Sequence, residues 1–348
     1  MAKRRQGSLN TYLICHHKLF SIRIRMKKIH YWNRIFNAYI LGNKSHLTFW
    51  HGEPKINPSI DLQSLGPYYM SFKKKAEYDV DIDSNGIPML NYQGVIGIQY
   101  NPIAIAQWGL GNFNLWYDHK SDIYFEKFIN CADWLIENLE ENKYGYKVWM
   151  HHFDFEYRDT LKAPWYSGLA QGQGISVLVR AFNHTKNKKY SRAASDAFQV
   201  FLVPIHEGGV NYVDSSGDHW IEEYIVNPPT HILNGFIWAM WGIYDYSNYM
   251  NKEIAKKLFK RYVNTLVSNL EQYDTGYWSL YEQAGLKMPM LASPFYHKLH
   301  IVQLKIMTKL TGITLFEQTA KKWSNYFNSG FNYYRALFVK SLFKIFHY

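Results

Sequence analysis

Three stretches of the chain carry side chains that can move protons or hold a polar ring. Residues 218–236, DHWIEEYIVNPPTHILNGF, set Glu223 directly before Tyr224, with Trp220 and Asn234 to either side. Residues 295–304, FYHKLHIVQL, gather Tyr296, His297, Lys298 and His300 within five positions. Residues 163–182, APWYSGLAQGQGISVLVRAF, place Trp165, Tyr166, Gln171, Gln173 and Arg180 on an otherwise apolar segment. A carboxyl and a phenol, with ordinary pKa values of about 4.3 and about 10, are an acid–base set whose strengths the surroundings can move by several units. Each piece also has a plainer explanation. A lone Glu223–Tyr224 pair is more often a solvated strand end, and Tyr281 can be a core ring. His297 and His300, at i and i+3, have zinc-ligand spacing but no third ligand at helical spacing. Arg180, inside an apolar helix, suits a buried ion-pair network as well as a ligand.

The elements that must position these residues are helices. Ile175, Leu178, Val179 and Phe182 recur at i, i+3, i+4 and i+7, the spacing of a buried helical stripe. Pro164 stands where a helix can begin without losing a useful N–H. Gly168, Gly172 and Gly174 thin the first turns, at about 1 kcal/mol each relative to alanine. Small residues there let another helix or a ligand approach the backbone closely.

The pattern returns three times. First helices are predicted to begin near Pro102, Pro164, Pro229 and Phe295, and second helices to span about 122–140, 189–204, 251–270 and 314–328. Each first helix has an amide near its start (Gln107, Gln171, Asn234 and Gln303), at intervals of 64, 63 and 69. In the segment 122–139, Phe125, Phe128, Ala132, Leu135 and Leu139 share one face. Four helical hairpins predict a mainly α fold, an incomplete α/α toroid whose inner helices line a cleft. The connections 142–163, 206–227 and 272–294 exceed simple turns and should form small hairpins over its mouth.

Four segments follow from this reading. Residues 1–44 are a basic arm, 45–96 a smaller β region, 97–330 the α/α catalytic domain, and 331–348 a basic amphipathic tail. The β region shows LTFW, YYMSF and YDVDIDSNGIPMLNY as strands, with Ser-Asn-Gly at 84–86 as a hairpin turn. Its Asp79, Asp81 and Asp83 resemble the start of a calcium loop. Such a loop would need glycine at Ser84 and glutamate at Leu90, so a solvated hairpin face is expected. A structural calcium ion is the only cofactor left open, and no other metal is expected.

Composition narrows the partners. The net charge is +11, but ten of the 39 basic residues precede the first acid, Glu53. The remainder is nearly neutral, which argues against a nucleic-acid binder. Aromatic residues make up 18%, with 29 tyrosines and 12 tryptophans; such rings suit pyranose faces and equally an aromatic core. Cys15 and Cys131 provide no disulfide framework. The N-terminal apolar run is broken by His16, His17 and Lys18, so no signal peptide or membrane span is read. The expected location is cytoplasmic, with a peripheral contact at the inner face of the membrane open through the arm or tail.

The stretches together resemble the C-terminal domain of the D-glucuronyl C5-epimerases, which invert C5 of glucuronate within heparan-type polymers. The family's WYS-x-x-AQGQ-x-IS-x-LVRA is matched at 165–181, its W-x-EEY at 220–224 and its LNGF at 233–236. Its YDTG is matched at 273–276, and Tyr296, His297, His300, Ile301, Gln303 and Leu304 match its DYH-x-x-HI-x-QL. The resemblance runs from about 100 to 328. It implies a polymer-level epimerase, usually a homodimer, with Glu223, Tyr224, Tyr281 and Tyr296 at the catalytic positions. Trp165, Tyr166, Gln171, Gln173, Trp220 and Asn234 are then substrate-binding candidates, while Arg180, His297, Lys298 and His300 would orient Tyr296 or hold the uronate carboxylate. One match fails: the family's Y-D-x-R becomes Tyr281, Glu282, Gln283 and Ala284, which leaves the cation at that carboxylate unassigned.

The chemistry explains these residue types. Removing the C5 hydrogen puts a second negative charge beside a carboxylate, so hydrogen-bonding or cationic groups must stabilise it. A base on one face of the ring and an acid on the other are also required. Glu223, with Tyr224 nearby, is assigned to one face and Tyr296 to the other. The expected partner is an anionic glucuronate-containing polysaccharide of a capsule or exopolysaccharide. The competing readings are a uronan lyase using the same proton abstraction, and a catalytically inactive sugar-binding module. Arg335, Lys340 and Lys344 beside Leu337, Phe338, Leu342 and Phe346 suit either a dimer contact, slightly favoured, or an anionic membrane.

Overall fold

The computed structural model describes residues 53–61, 64–92 and 94–347, all within one unit spanning Phe49–Tyr348. The basic arm at 1–44 and the LTFW stretch lie outside the described residues. A four-residue helix, α1 (Lys73–Ala76), and a two-stranded pair, β1 (Leu90–Asn91) with β2 (Ile98–Gln99), precede four helical hairpins. The hairpins are α2 (Pro102–His119) with α3 (Asp122–Glu137), α4 (Gly168–Thr185) with α5 (Lys188–Phe198), α6 (Leu233–Tyr249) with α7 (Glu253–Asn269), and α8 (Pro294–Thr311) with α9 (Thr314–Asn328). A final helix, α10 (Gly330–His347), follows.

The first member of each hairpin packs on its successor, α2 on α4, α4 on α6 and α6 on α8, whereas α2 and α8 do not pack as neighbours. The result is an open arc, the incomplete α/α toroid that the helix pairs predict. Burial separates its rings: 14 of the 18 residues of α4 are buried, against 4 of the 16 in α3. Helix α4 therefore has almost no solvent face, and its polar residues must find partners inside the protein. Glycines set the inner spacing. A Cβ on Gly172 would stand 2.4 Å from Ala239 Cα, and one on Gly242 would stand 2.0 Å from the Gly172 carbonyl oxygen. What approaches the Gly172 backbone is a helix, α6.

Two inner helices start later than their prolines suggest. Trp165–Tyr166 is a strand, β7, which pairs with β4 (Lys147–His151) in the register His151↔Trp165. Ser167 then caps α4, its Oγ accepting the Ala170 N–H at 3.4 Å. Pro164 fixes its own φ but does not compel a helix, and the adjacent aromatic pair joins the β4 ladder instead. Pro229 is likewise too early, because Glu222 ties down the next residues. Its Oε2 accepts the N–H groups of Thr230 at 3.0 Å and His231 at 3.2 Å, and His231 adopts φ 48°. Helix α6 begins only at Leu233.

Two of the long connections carry small hairpins, whereas 272–294 has only the isolated bridges Asp274↔Ser279 and Leu280↔Leu291. β3 (Leu139–Glu141) pairs with β4, β5 (Phe155–Glu156) with β6 (Thr160–Leu161), and β8 (Asn211–Val213) with β9 (His219–Ile221). Within 53–92, YYMSF forms no strand: it contributes one bridge, Ile56↔Met70, and then turns into α1. Packing explains this, since Tyr69 sets its ring 5.4 Å from Trp241 and Phe72 sets its ring 6.3 Å from Trp238, both on α6. Asp83 closes its own turn, with Oδ1 accepting the N–H groups of Asn85 and Ile87 and Oδ2 the Tyr100 hydroxyl. Among the described residues no group of three His, Cys, Asp or Glu side chains could hold a metal ion.

Helix α10 is partly built into the protein. Ala336, Lys340 and Phe343 are buried, and Ala336 packs with Trp278, Tyr281 and Leu291, while Phe331, Tyr334 and Phe338 stay exposed. No helix among the described residues is long and apolar enough to cross a membrane.

Candidate active site

Strand β9 delivers two adjacent carboxyls, and their surroundings differ. Glu222 is fully engaged, its Oε1 standing 2.6 Å from His231 Nδ1 while Oε2 holds the Thr230 and His231 backbone. Glu223 turns to the first turn of α6, where a Cβ on Gly235 would meet its Oε2 at 2.1 Å. It is 4% exposed, and Oε2 has no hydrogen-bond partner. Burial pushes this carboxyl up to about 8; the Tyr224 hydroxyl draws it partly back and the Glu222 charge adds to the rise. The helix dipole at this position favours its ionised form.

Tyr224 is surrounded by rings. Its centroid lies 4.6 Å from Tyr157, 5.7 Å from Trp165 and 5.9 Å from Phe155. Trp165 in turn lies flat on His151, 3.8 Å away and within 5° of parallel. Burial holds that imidazole neutral, pushed down to about 3. The Tyr224 phenol is raised far above its ordinary value, first by burial and then by the charges of Glu223 and Tyr296. Tyr224 is therefore the electrostatic neighbour of both groups assigned to opposite faces.

Tyr296 stands in the first turn of α8, and Ser293 Oγ accepts its N–H at 3.3 Å. Tyr281 meets it edge-on, with centroids 4.9 Å apart. The Tyr281 backbone is fixed at both ends, its N–H donating to Met290 and its carbonyl accepting from Leu233 N. Glu282 accepts the Tyr157 hydroxyl, and burial pushes its carboxyl up to about 7 against the pull of the Lys340 charge. Lys340 reaches in from α10, its Nζ donating to the Leu291 carbonyl at 2.6 Å and lying 5.8 Å from the Tyr281 ring centre. Burial pushes this ammonium down to about 7.

Glu223, Tyr224, Tyr281, Tyr296 and Trp165 thus come together, with Asn234 beside Gly235 in the same turn of α6. Asn234 is buried, its Oδ1 has no partner, and its carbonyl accepts from Gln303 Nε2. Several other substrate-binding candidates are buried and hold partners inside the protein. Arg180 is 1% exposed and paired with Asp245 at 2.6 Å, its Nε donating to the Gly66 carbonyl. Gln171 accepts Trp149 N–H and donates to the Lys147 and Ala197 carbonyls, and Gln173 accepts from Gln107 Nε2. Trp220 is buried, stacked on His231 and donating to Asp214. Tyr166 donates to the Gly208 carbonyl.

The two histidines of α8 are buried among protein partners, with His300 Nε2 left unpaired. His297 lies 3.8 Å from Trp278, between Ser279 and the Trp323 carbonyl, and burial pushes it down to about 4. His300 shares Ser279 Oγ and is held well below its ordinary value by burial. Neither supplies positive charge at neutral pH. Lys298 forms an ion pair with Glu53. The residues that sequence reasoning did not name as site groups are His151, Phe155, Tyr157, Glu282 and Lys340. Only Glu282 had a signal, as the acid after Tyr281.

Residues 141–325 match the family model described as D-glucuronyl C5-epimerase C-terminus. Glu223, Tyr224, Tyr281 and Tyr296 lie inside that range, whereas Lys340 lies outside it. The chain is 33% identical over 214 residues to D-glucuronyl C5-epimerase of Caenorhabditis elegans, covering 57% of this chain and 34% of that protein. It is 28% identical over 201 residues to an uncharacterized protein of Methanocaldococcus jannaschii, covering 57% of this chain and 64% of that one. The chain therefore spans about a third of the nematode protein and just under two thirds of the archaeal one. Among solved structures it is similar to an alpha-1,6-mannanase from Salegentibacter sp. HEL1_6, with a TM-score of 0.49 at 12% identity, covering 74% of this chain and 69% of that one. It is also similar to the unsaturated glucuronyl hydrolase of Bacillus sp. GL1, with a TM-score of 0.45 at 13% identity, covering 64% and 61%.

Proposed function

The chain belongs to the D-glucuronyl C5-epimerase C-terminus family, and from that premise we propose that it epimerises uronate residues within a polysaccharide, converting D-glucuronyl to L-iduronyl units. The observation that carries the reading is the unpartnered Oε2 of Glu223, beside a Tyr224 whose phenol senses the charges of both Glu223 and Tyr296.

In the forward step the C5–H bond breaks, its proton passes to the Glu223 carboxylate, and the electron pair spreads into the sugar carboxylate. Tyr296 then gives its phenolic proton to C5 from the opposite face, leaving a phenolate and a protonated Glu223. Proton exchange with solvent resets both groups. A carboxyl raised to about 8 is a far stronger base, once ionised, than an ordinary glutamate. Tyr224 and Tyr281 are hydrogen-bonding groups for the charge that develops. Lys340 is our candidate for the positive charge that Ala284 does not provide.

Incubation with a glucuronate-containing polymer in heavy water tests this. Deuterium at C5 with unchanged chain length, and an iduronate anomeric proton signal, are expected. Unsaturated uronate ends would instead make the protein a lyase, and binding with no exchange would make it a sugar-binding module. Tyr296→Phe should lower exchange by about 10²–10⁴-fold with the melting temperature kept. A homodimer belongs to the same proposal. The exposed Phe331, Tyr334 and Phe338 on α10, at i, i+3 and i+7, support it, and light scattering of the full chain tests it.

A further inference from the structure

Next to the catalytic cluster, a cavity of about 170 Å³ opens between segment 53–75 and helices α6 and α8. Phe72, Trp238 and Phe295 give it an aromatic lining, and Lys55, Lys73 and Lys74 stand around it. It neighbours the site along two helices. Phe295 meets the Tyr296 ring edge-on at 5.2 Å, and Trp238 lies one turn along α6 from the Asn234–Gly235 step that receives Glu223.

Two observations point to a ligand with negative charge, and a third shows how the lysines are presented. The lysines outnumber the acids: Glu53 serves both Lys55 and Lys298, and Lys73 and Lys74 have no ion-pair partner among the described residues. The indole N–H of Trp238 is buried and has no acceptor. Phe72 holds φ at 46°, a left-handed conformation that a bulky residue rarely keeps without a reason. Its carbonyl is pressed onto α2 where Gly111 has no side chain, since a Cβ there would stand 2.9 Å away. This turn launches the three consecutive lysines at the cavity.

We propose that the cavity is a subsite for a second uronate of the same polymer chain, beside the residue undergoing reaction. An aromatic lining takes the apolar face of a pyranose, and the ammonium groups take its carboxylate. The lysines lie outside the family match at 141–325. The inference rests on the reading of an acidic polymer substrate, and its test separates the two.

The full chain and its K73A/K74A variant are compared for binding of a uronate disaccharide, a uronate decasaccharide and a neutral glucan of equal length, across a salt series. The variant should bind the decasaccharide about three- to tenfold more weakly, with a shallower salt dependence. Its disaccharide affinity and its rate at saturating polymer should be unchanged, and K73R/K74R should restore most of the decasaccharide affinity. Equal decasaccharide affinity and salt dependence in K73A/K74A would overturn the subsite while leaving the epimerase reading intact. If the parent binds the decasaccharide but exchanges no C5 hydrogen, the epimerase reading falls and the subsite is judged by binding alone. Equal affinity for the neutral glucan removes both.

Discussion

The Glu223 carboxyl fills the space that Gly235 leaves by having no side chain. A Cβ at 235 would stand 2.1 Å from Oε2 and 2.9 Å from the glutamate's own Cβ. One missing methyl group on an inner helix thus determines where a buried acid from a distant hairpin can sit.

Gly235→Ala should therefore act on chemistry more than on folding. The added carbon must displace Glu223, and C5 exchange should fall at least tenfold. Overpacking destabilises by about 1–3 kcal/mol, offset in part by alanine's better helix propensity. Exchange rate and thermal midpoint measured on one preparation check this; a variant with parental exchange would separate Gly235 from the placement of Glu223.

Glu223→Gln should remove activity and add stability, with a defined pH window. The folded-state value is about 8 against an ordinary 4.5, so the native protein holds a proton that the unfolded chain has released. Stability is fully present below pH 4.5 and declines as pH rises through about 8. Glutamine has no such decline, so the variant should gain a few kcal/mol over the parent above pH 8 and little below pH 4.5. Denaturant titrations at both ends measure it. For the parent, kcat/KM should have two limbs, one rising through an apparent value near 8 because the base must be ionised and one falling from about 7 because Lys340 must be protonated.

Lys340→Met tests the cation from α10. Methionine keeps the volume and removes the charge, and the Leu291 carbonyl loses its donor at a cost of about 1–3 kcal/mol. Without the Lys340 charge, the Glu282 carboxyl should titrate above about 7. If Lys340 holds the uronate carboxylate, KM for the polymer rises about tenfold or more while the fold is kept. An unchanged KM would return Lys340 to a purely packing role.

Arg180→Met tests the opposite assignment. Its guanidinium and the Asp245 carboxylate are 1% and 0% exposed, and breaking one side leaves a buried unpaired charge. The loss should be about 3–5 kcal/mol of stability. Activity per folded molecule should stay at the parental level, as activity assays well below the melting temperature would show. A rise in KM with stability kept would place Arg180 at the substrate after all.

The four helix pairs and the open arc were legible in the chain because apolar spacing is local and recurs at every inner helix. Glu223, Tyr224, Tyr281 and Tyr296 could be picked out as candidates because each stands in a contiguous motif that survives without its neighbours. The helix starts at Ser167 and Ile232 were not legible, since one depends on strand pairing with His151 and the other on backbone held by Glu222. Nor could the letters separate Arg180, Gln171, Trp220 and His297 from ligand contacts. A helix packed on every side looks alike around its whole circumference, so sequence cannot say which polar side chain meets a partner and which meets the cleft. The Tyr157–Glu282 contact joins residues 125 positions apart, and Lys340 arrives on a helix beyond the family match. The sequence by itself determined the helices and brought Glu223, Tyr224, Tyr281 and Tyr296 forward as candidates. Which groups are neutralised, paired or left waiting was decided only by tertiary packing, because burial and the loss of water depend on what folds against each atom.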